Sequence, residues 1–540
     1  MLLMGACGLA YEYNFSRTAS DLLGNTIQQW AIVIALMLFC MGVGAEVQRR
    51  VADARLAPWL LGSQILLALL GAFGPLGLVL AFAEFPYHFA LLQYGLVGLA
   101  GVLIGFEIPM LLRLNEQFRP EMRVNLAQIL KMDYVGALVG ALVWIFVLHR
   151  LLPMATIGYV LGATTLVACL LLWWVLRTEL AHPGRWLAAL GVGLTVMGVA
   201  GVNSPAWVSS AEQALYRDRV ILRETTDYQH IVMTESAAGL TNLYINGHLQ
   251  FSSADEEIYH ENLVHPAMHL APERARILIL GGGDGLALRE VLKYPGVREV
   301  TLVDIDPFIT QLARENPTLS AMNQDALRDA RVQMLAGAGV TRGEPVEVVA
   351  RSRTVRPANP STVPRPQVHL YHLDAAAFVR QFPEIFDVVI IDFPDPNHPD
   401  LAKLYSRDFY AHVHKRLAAD GILVQQATSP RHAKEAFLSI GRTLEAAGFA
   451  VVPLRDNVPT FGEWGWWIGA SAARQTSTSL KAQIANIDTF AVPTRYLHPT
   501  LMQANLEFGH GQLETPETAI TELFSPAVYR YYQRAWQALP

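Results

Sequence analysis

The chain has 540 residues, 52% of them hydrophobic and 16% charged, with a mean hydropathy of +0.27. It is too long for one domain and too apolar for an ordinary soluble enzyme. A formal net charge of −6 gives no basis for nucleic-acid binding, and its cysteines (Cys7, Cys40, Cys169) sit in apolar stretches that fit neither a disulfide framework nor a metal site.

The apolar excess lies before about residue 205. Each bilayer crossing needs roughly 20 apolar residues, and the sequence predicts spans at about 27–47, 58–83, 87–112, 134–152, 154–176 and 186–204 within an α-helical transmembrane bundle over 1–205. The opening run MLLMGACGLAYEY is a seventh candidate, too short to cross comfortably; lacking a basic leader and a cleavage site, it does not read as a signal peptide. Small residues such as Gly136, Gly140 and Ala141 suit close helix packing. With the opening run counted first, Arg49, Arg50 and Arg55 follow the second span, Arg113, Arg119, Arg123 and Lys131 the fourth, and Arg177 and Arg185 the sixth. These loops therefore read as cytoplasmic. One further crossing at 186–204 would put the rest of the chain outside. Glu46 and Glu107 lie at or near span ends, where an acid reads more readily as interfacial than as part of a transport path.

From about 215 the pattern changes. Residues 219–251 carry short β-rich runs and an Asn246-Gly247 turn, predicting a small antiparallel β domain over 215–265. Strands at 277–280, 300–303, 368–372, 387–391 and 421–425 then alternate with helical stretches, predicting a Rossmann-like α/β parallel sheet over 266–480. Residues 335–366, rich in Pro, Arg, Ser and Thr, read as a flexible insertion, and 481–540 as a C-terminal extension.

Ligands of such sheets bind outside the carboxyl ends of the strands, here Asp284, Asp304, Asp374, Asp392 and Gln425-Gln426. Residues 281–285, Gly-Gly-Gly-Asp-Gly, follow the first strand: Gly281 and Gly283 allow a nucleoside to approach the backbone, and Asp304, about 20 residues on, suits its ribose hydroxyls. Asp284 is misplaced beside a pyrophosphate and points to a cationic ligand. Asp392 and Asp395 lie beside two prolines, an acidic rim able to bind an amine or take its proton, although a capped turn explains an isolated pattern as well. The cluster 255–261 reads either as part of a site or as an acid-rich helix start, His265 receives no role, and the aromatic run 461–467 fits a pocket wall or a buried strand equally. No Cys/His spacing suggests a metal, and neither a Gly-x-Ser-x-Gly nor a Gly-Lys-Ser/Thr motif occurs.

Taken together, the motifs resemble the polyamine aminopropyltransferases, typified by spermidine synthase, in their membrane-fused bacterial branch. The matching residues are Tyr228-Gln229, residues 243–247 with Gln250, Asp255-Glu256, Tyr259-His260-Glu261, the 281–285 loop with residues 288–293, Val303-Asp304-Ile305-Asp306, Asp374-Ala375, and Asp392 with Asp395-Pro396. They extend from 220 to about 470. The resemblance implies transfer of the aminopropyl group of decarboxylated S-adenosylmethionine, a co-substrate and not a tightly bound cofactor, to putrescine or a related polyamine. It implies that Gln229, Asp304, Asp374, Ala375, Gly281 and Gly283 hold the nucleoside. Tyr259, His260, Asp284, Asp395 and Tyr405 would line the amine and aminopropyl site, and Asp392 would be the base. A homodimer is also implied. Three departures stand out: Leu286 where a further Gly is usual, Asp304 where Glu is common, and the insertion at 335–366. Because the donor is made in the cytosol, a cytoplasmic catalytic half in a multi-pass inner-membrane protein is expected, against the loop-charge parity. The competing readings are a methyltransferase using intact S-adenosylmethionine and a non-catalytic membrane polyamine sensor or transporter.

Overall fold

A computed structural model describes residues 1–23, 26–85, 88–116, 121–328, 332–335, 366–515 and 518–537. The chain forms two compact units, Met1–Arg219 and Val220–Pro540.

The first unit is helical. Among the described residues, six helices are long and apolar enough to cross a membrane: Gln29–Arg50, Asp53–Glu84, Phe89–Asn115, Met122–Leu151, Met154–Leu176 and Pro183–Gln213. Side chains such as Phe39, Leu91, Leu171, Trp174 and Val202 point outward, as expected of helices that are apolar on every face. One expectation is corrected here. The opening run is not short: it continues as the helix Leu2–Leu23, whose Cys7, Ala10, Tyr11 and Phe15 lie in the unit's core. Glu12, Asn14, Ser16 and Arg17 lower its hydropathy and hide its length. Its neighbours come very close, since a Cβ at Gly136 would meet the Leu2 carbonyl oxygen at 2.1 Å, and one at Gly140 the Ala6 oxygen at 2.3 Å. Glu107 is 2% exposed and accepts a hydrogen bond from Gln64. Glu46, by contrast, is exposed and pairs with Arg49. The segment 186–204 lies within the 31-residue helix Pro183–Gln213, long enough for a full crossing.

The second unit begins with an antiparallel sheet of β1 (Arg219–Thr225), β2 (His230–Glu235), β3 (Thr241–Ile245) and β4 (His248–Ser252), in that order. Asn246 and Gly247 both have positive φ, 50° and 79°, the conformation of a tight two-residue hairpin. After the helix Glu256–Leu270 comes an eight-stranded sheet built from β5 (Arg276–Gly281), β6 (Glu299–Asp304), β7 (Val332–Leu335), β8 (Gln367–His372), β9 (Phe386–Asp392), β10 (Leu417–Gln426), β11 (Phe449–Val458) and β12 (Gly462–Ser471). The strand order is β11-β12-β10-β9-β5-β6-β8-β7. Strands β5 to β10 pair in parallel, and β12 runs antiparallel to β10 and β11. The aromatic run 461–467 thus falls largely on β12. Alternation along β5 sends Ile277 and Ile279 into one core and Leu278 and Leu280 into the other, so both faces are covered. The expected insertion, apart from its end residues, lies outside the described residues. The C-terminal stretch contributes Ile484, Leu497 and Met502 to one core and Val528 and Tyr532 to the other.

Candidate active site

The strand order β10-β9-β5-β6-β8 sets Gln426, Asp392, Asp284, Asp304 and Asp374 side by side along one edge of the sheet. The chain runs outward from β5 through β6 to β8 and returns on the other side at β9, so the crevice where strand order reverses opens between Asp284 and Asp392.

The glycine loop is shaped by its surroundings. Gly281 has φ +81°, and a Cβ there would meet the Asp392 carbonyl oxygen at 2.1 Å; a Cβ at Gly283 would meet Asp304 Oδ2 at 2.6 Å. Gly283 N donates to Asp304 Oδ2 at 3.0 Å, and Asp306 N donates to Asp304 Oδ1 at 2.9 Å. Burial pushes the Asp304 carboxyl up to about 6, partly offset by these two amides. Leu286 starts the next helix with its side chain in the core.

Three groups meet at the crevice. Donor atoms of His260, Asp284 and Asp392 lie within 4.8 Å of one another, a spacing suited to a bound cation. Tyr259 donates its hydroxyl to Asp392 Oδ1 at 2.6 Å, and its ring packs against His260, Phe461 and Trp466. His260 is buried with Nδ1 on Glu256, 2.7 Å from its carbonyl oxygen and 3.1 Å from Oε2. Nδ1 is therefore a donor to Glu256. Burial opposes the imidazolium, but Glu256, then Asp284 and Asp392, outweigh it and raise the ring's pKa. Burial raises both aspartates; His260 relieves each, while the charge of Glu256 adds to the rise at Asp284 and that of Asp284 to the rise at Asp392.

Glu256 anchors this arrangement. Arg289 grips it through two bonds of 2.7 and 2.9 Å, and Arg495 adds a third at 2.7 Å. Against burial, His260 and Arg289 hold the Glu256 carboxyl well below the usual range. Arg289 also bonds Glu290, which pairs with His265 at 2.9 Å and with Lys293. His265 thus belongs to the supporting charge network. A second potential donor set, Glu261, His265 and Glu290, is occupied internally, Glu261 by the amides of Arg495, Tyr496 and Leu497.

On the β10 side, Asp395 accepts from Thr428 Oγ1 at 3.0 Å and from Tyr532, and burial pushes it up to about 6 against those bonds. Thr428 has φ +63°, a strained conformation for a β-branched residue and of the kind that gathers at functional sites. Gln426 reaches Tyr405 Oη at 3.1 Å. Tyr405 itself is fully buried and donates to the Pro394 carbonyl at 2.8 Å, so it braces the loop carrying Asp395.

On the other side, Asp374 caps the helix Ala375–Gln381 through Ala377 N at 3.0 Å. Its other oxygen takes Lys403 Nζ at 2.5 Å, and against burial this pairing lowers the carboxyl's pKa. Gln229 sits on the turn between β1 and β2. Thr226 Oγ1 fixes that turn by accepting from Tyr228 N and Gln229 N while donating to the buried Asp306 at 2.8 Å. This bond ties the small sheet to the end of β6.

Tyr259, His260, Asp284 and Asp392 therefore share the crevice, with Gly281, Gly283 and Asp304 on its loop side. Asp374 and Ala375 follow β8, next to Asp304 at the end of β6, Gln229 lies on the turn tied to Asp306, and Asp395 and Tyr405 cluster through Gln426 within electrostatic reach of Tyr259. Sequence reasoning did not find Glu256 as anchor, the Thr226–Asp306 bond, or Tyr532, contributed by a helix 137 residues beyond Asp395. Only the run of acids at 255–257 hinted at the first.

A family profile described as spermine/spermidine synthase domain matches residues 256–343 and 346–481. Polyamine aminopropyltransferase 2 of Ralstonia nicotianae is 34% identical, over 100% of this chain and 98% of the relative. The polyamine aminopropyltransferase of Leptospira interrogans is 33% identical, over 100% and 98% respectively. A solved spermidine synthase in complex with the transition-state analogue AdoDATO aligns at 24% identity with a TM-score of 0.43, covering 55% of this chain and 88% of that one.

Proposed function

The chain belongs to the polyamine aminopropyltransferase family, whose aminopropyl donor is decarboxylated S-adenosylmethionine, and we propose that putrescine is its acceptor and Asp392 its general base. The observation that carries this reading is the buried cluster of His260, Asp284 and Asp392 at the sheet's switch point.

An ammonium has no lone pair to attack with, so the acceptor must first surrender a proton to a base. Asp392, raised by burial, has the affinity to take it, and Tyr259 holds the carboxylate oriented. The amine nitrogen then bonds to the aminopropyl carbon while that carbon's bond to sulfur breaks. The sulfonium leaves as neutral methylthioadenosine, and the proton stays on the carboxylate. Alignment of nitrogen, carbon and sulfur supplies much of the remaining acceleration. Asp284 pairs with the donor's own ammonium and disfavours the carboxylate that intact S-adenosylmethionine carries, a discrimination by repulsion. His260 keeps two neighbouring carboxylates ionised without occupying either permanently. Asp304 takes the ribose, Asp374 and Ala375 the adenine with displacement of Lys403, and Gln229 closes over the nucleoside. Asp395, with Tyr405 bracing its loop, receives the far amine of the acceptor.

For the whole protein we propose a multi-pass inner-membrane enzyme, with the helices of 1–205 in the bilayer and a cytoplasmic catalytic unit, acting as a homodimer. Support comes from six apolar helices of spanning length and from a donor made in the cytosol. Incubation with the donor and putrescine should yield spermidine and methylthioadenosine in equal amounts. Product with another amine but none with putrescine would overturn the acceptor assignment.

A further inference from the structure

Inside the helical unit lies a polar site that aminopropyl transfer does not use. The apolar span Phe89–Asn115 is two helices, Phe89–Gly105 and Glu107–Asn115, with a turn at Phe106 between them. Pro109 accounts for the break, because it has no N–H to give the Gly105 carbonyl. Phe106 N donates instead to Leu103 O at 3.3 Å, a tightened turn. Gly105 is pressed against the neighbouring helix, where a Cβ would meet the Met41 carbonyl oxygen at 2.2 Å.

The second half-helix begins on the buried Glu107. Gln64 Nε2 donates to Glu107 Oε1 at 3.0 Å, while Gln64 Oε1, on a side chain with 0% exposure, has no partner among the described residues. Tyr11 and Cys7, both buried, stand within electrostatic reach, Tyr11 bonded to Thr165 at 2.9 Å. The other charges acting on Glu107 are Asp133 and the Met1 amino group, of opposite sign. Among the described residues, Arg49 pairs with Glu46, Arg113 with Asp53 and Arg123 with Glu121. A buried acid and an unpartnered amide oxygen are thus held together at the turn between the two half-helices. Acids so placed pair with a cation, and broken helices are where membrane proteins hold one.

We propose that Glu107 and Gln64 form a binding site for one monovalent cation, an alkali ion or the terminal ammonium of a polyamine. One carboxylate with neutral oxygens matches a single positive charge, whereas a divalent ion draws on several carboxylates.

The test uses the full-length protein in detergent, titrated with NaCl, KCl or spermidine against N-methylglucamine chloride at equal ionic strength. Thermal unfolding is followed by fluorescence, helix content by circular dichroism, and aminopropyl transfer is assayed alongside. Saturable stabilisation by at least one of the three cations is expected. Glu107→Gln and, separately, Gln64→Leu should need at least about tenfold more of that cation for the same shift, with transfer activity unchanged. Spermidine also binds in the catalytic unit, so the difference between wild type and variants decides. A response to sodium or potassium identifies an alkali ion, and a response to spermidine alone identifies the ammonium. If all three act like N-methylglucamine, or both variants titrate as wild type does, there is no such site. Should Glu107→Gln fail to fold, Gln64→Leu, which keeps the acid, decides alone.

Discussion

Replacing Glu256 with Gln keeps the side chain's shape and removes the charge on which three cations converge. Arg289, 3% exposed, would lose its ion pair with Glu256 and keep the one with Glu290. Breaking one side of a buried ion pair costs about 3–5 kcal/mol; Arg495, half exposed, adds little. With Glu290 retained, the lower end, about 3 kcal/mol, is expected, equivalent to a Tm lower by roughly 6 °C in a unit of this size. The second consequence is electrostatic. Glu256 is the main partner raising the His260 pKa, so its charge contributes stability present below the ordinary value of 6.5 and lost as pH rises through the higher folded value. In Glu256→Gln, burial dominates, His260 becomes neutral near pH 7, and Asp284 and Asp392 lose the charge that relieves them. The acid limb of kcat/KM therefore moves to higher pH. Calorimetry and a pH profile of spermidine formation check both effects. A Tm within about 1 °C of wild type, together with an unmoved acid limb, would refute the role given to Glu256.

Asp284→Asn should weaken use of the decarboxylated donor and relax rejection of intact S-adenosylmethionine, seen as a smaller gap between the two inhibition constants; an unchanged gap assigns discrimination elsewhere. Thr226→Val leaves the fully buried Asp306 without one donor, a loss of about 1–3 kcal/mol, and frees the turn carrying Gln229. Donor KM should rise more than kcat falls, measured in steady state at saturating putrescine.

Much of the catalytic edge was legible because strand ends announce themselves. An apolar run closing on an acid places Asp304 and Asp392 without any knowledge of their neighbours, and β5, β6, β8, β9 and β10 cover the predicted strands. What the chain order hides is pairing across distance. Glu256 meets Arg495 239 residues away, and Tyr532 reaches Asp395 from a C-terminal helix whose sequence carries no motif. The length of the opening helix was hidden for a related reason: polar residues buried against other helices interrupt the apolar run from which a helix is read. Nor does proximity to the end of an apolar run say which side chains enclose Glu107.

The central claim is that Asp392 takes the proton of the attacking amine. The direct measurement is the single-turnover rate of Asp392→Asn with decarboxylated S-adenosylmethionine and putrescine, alongside the donor's Kd. The predicted result is a rate about 10²–10⁴-fold below wild type, with donor Kd changed by less than about threefold, or 0.6 kcal/mol. A near-wild-type rate, or a loss explained wholly by weaker donor binding, would contradict it.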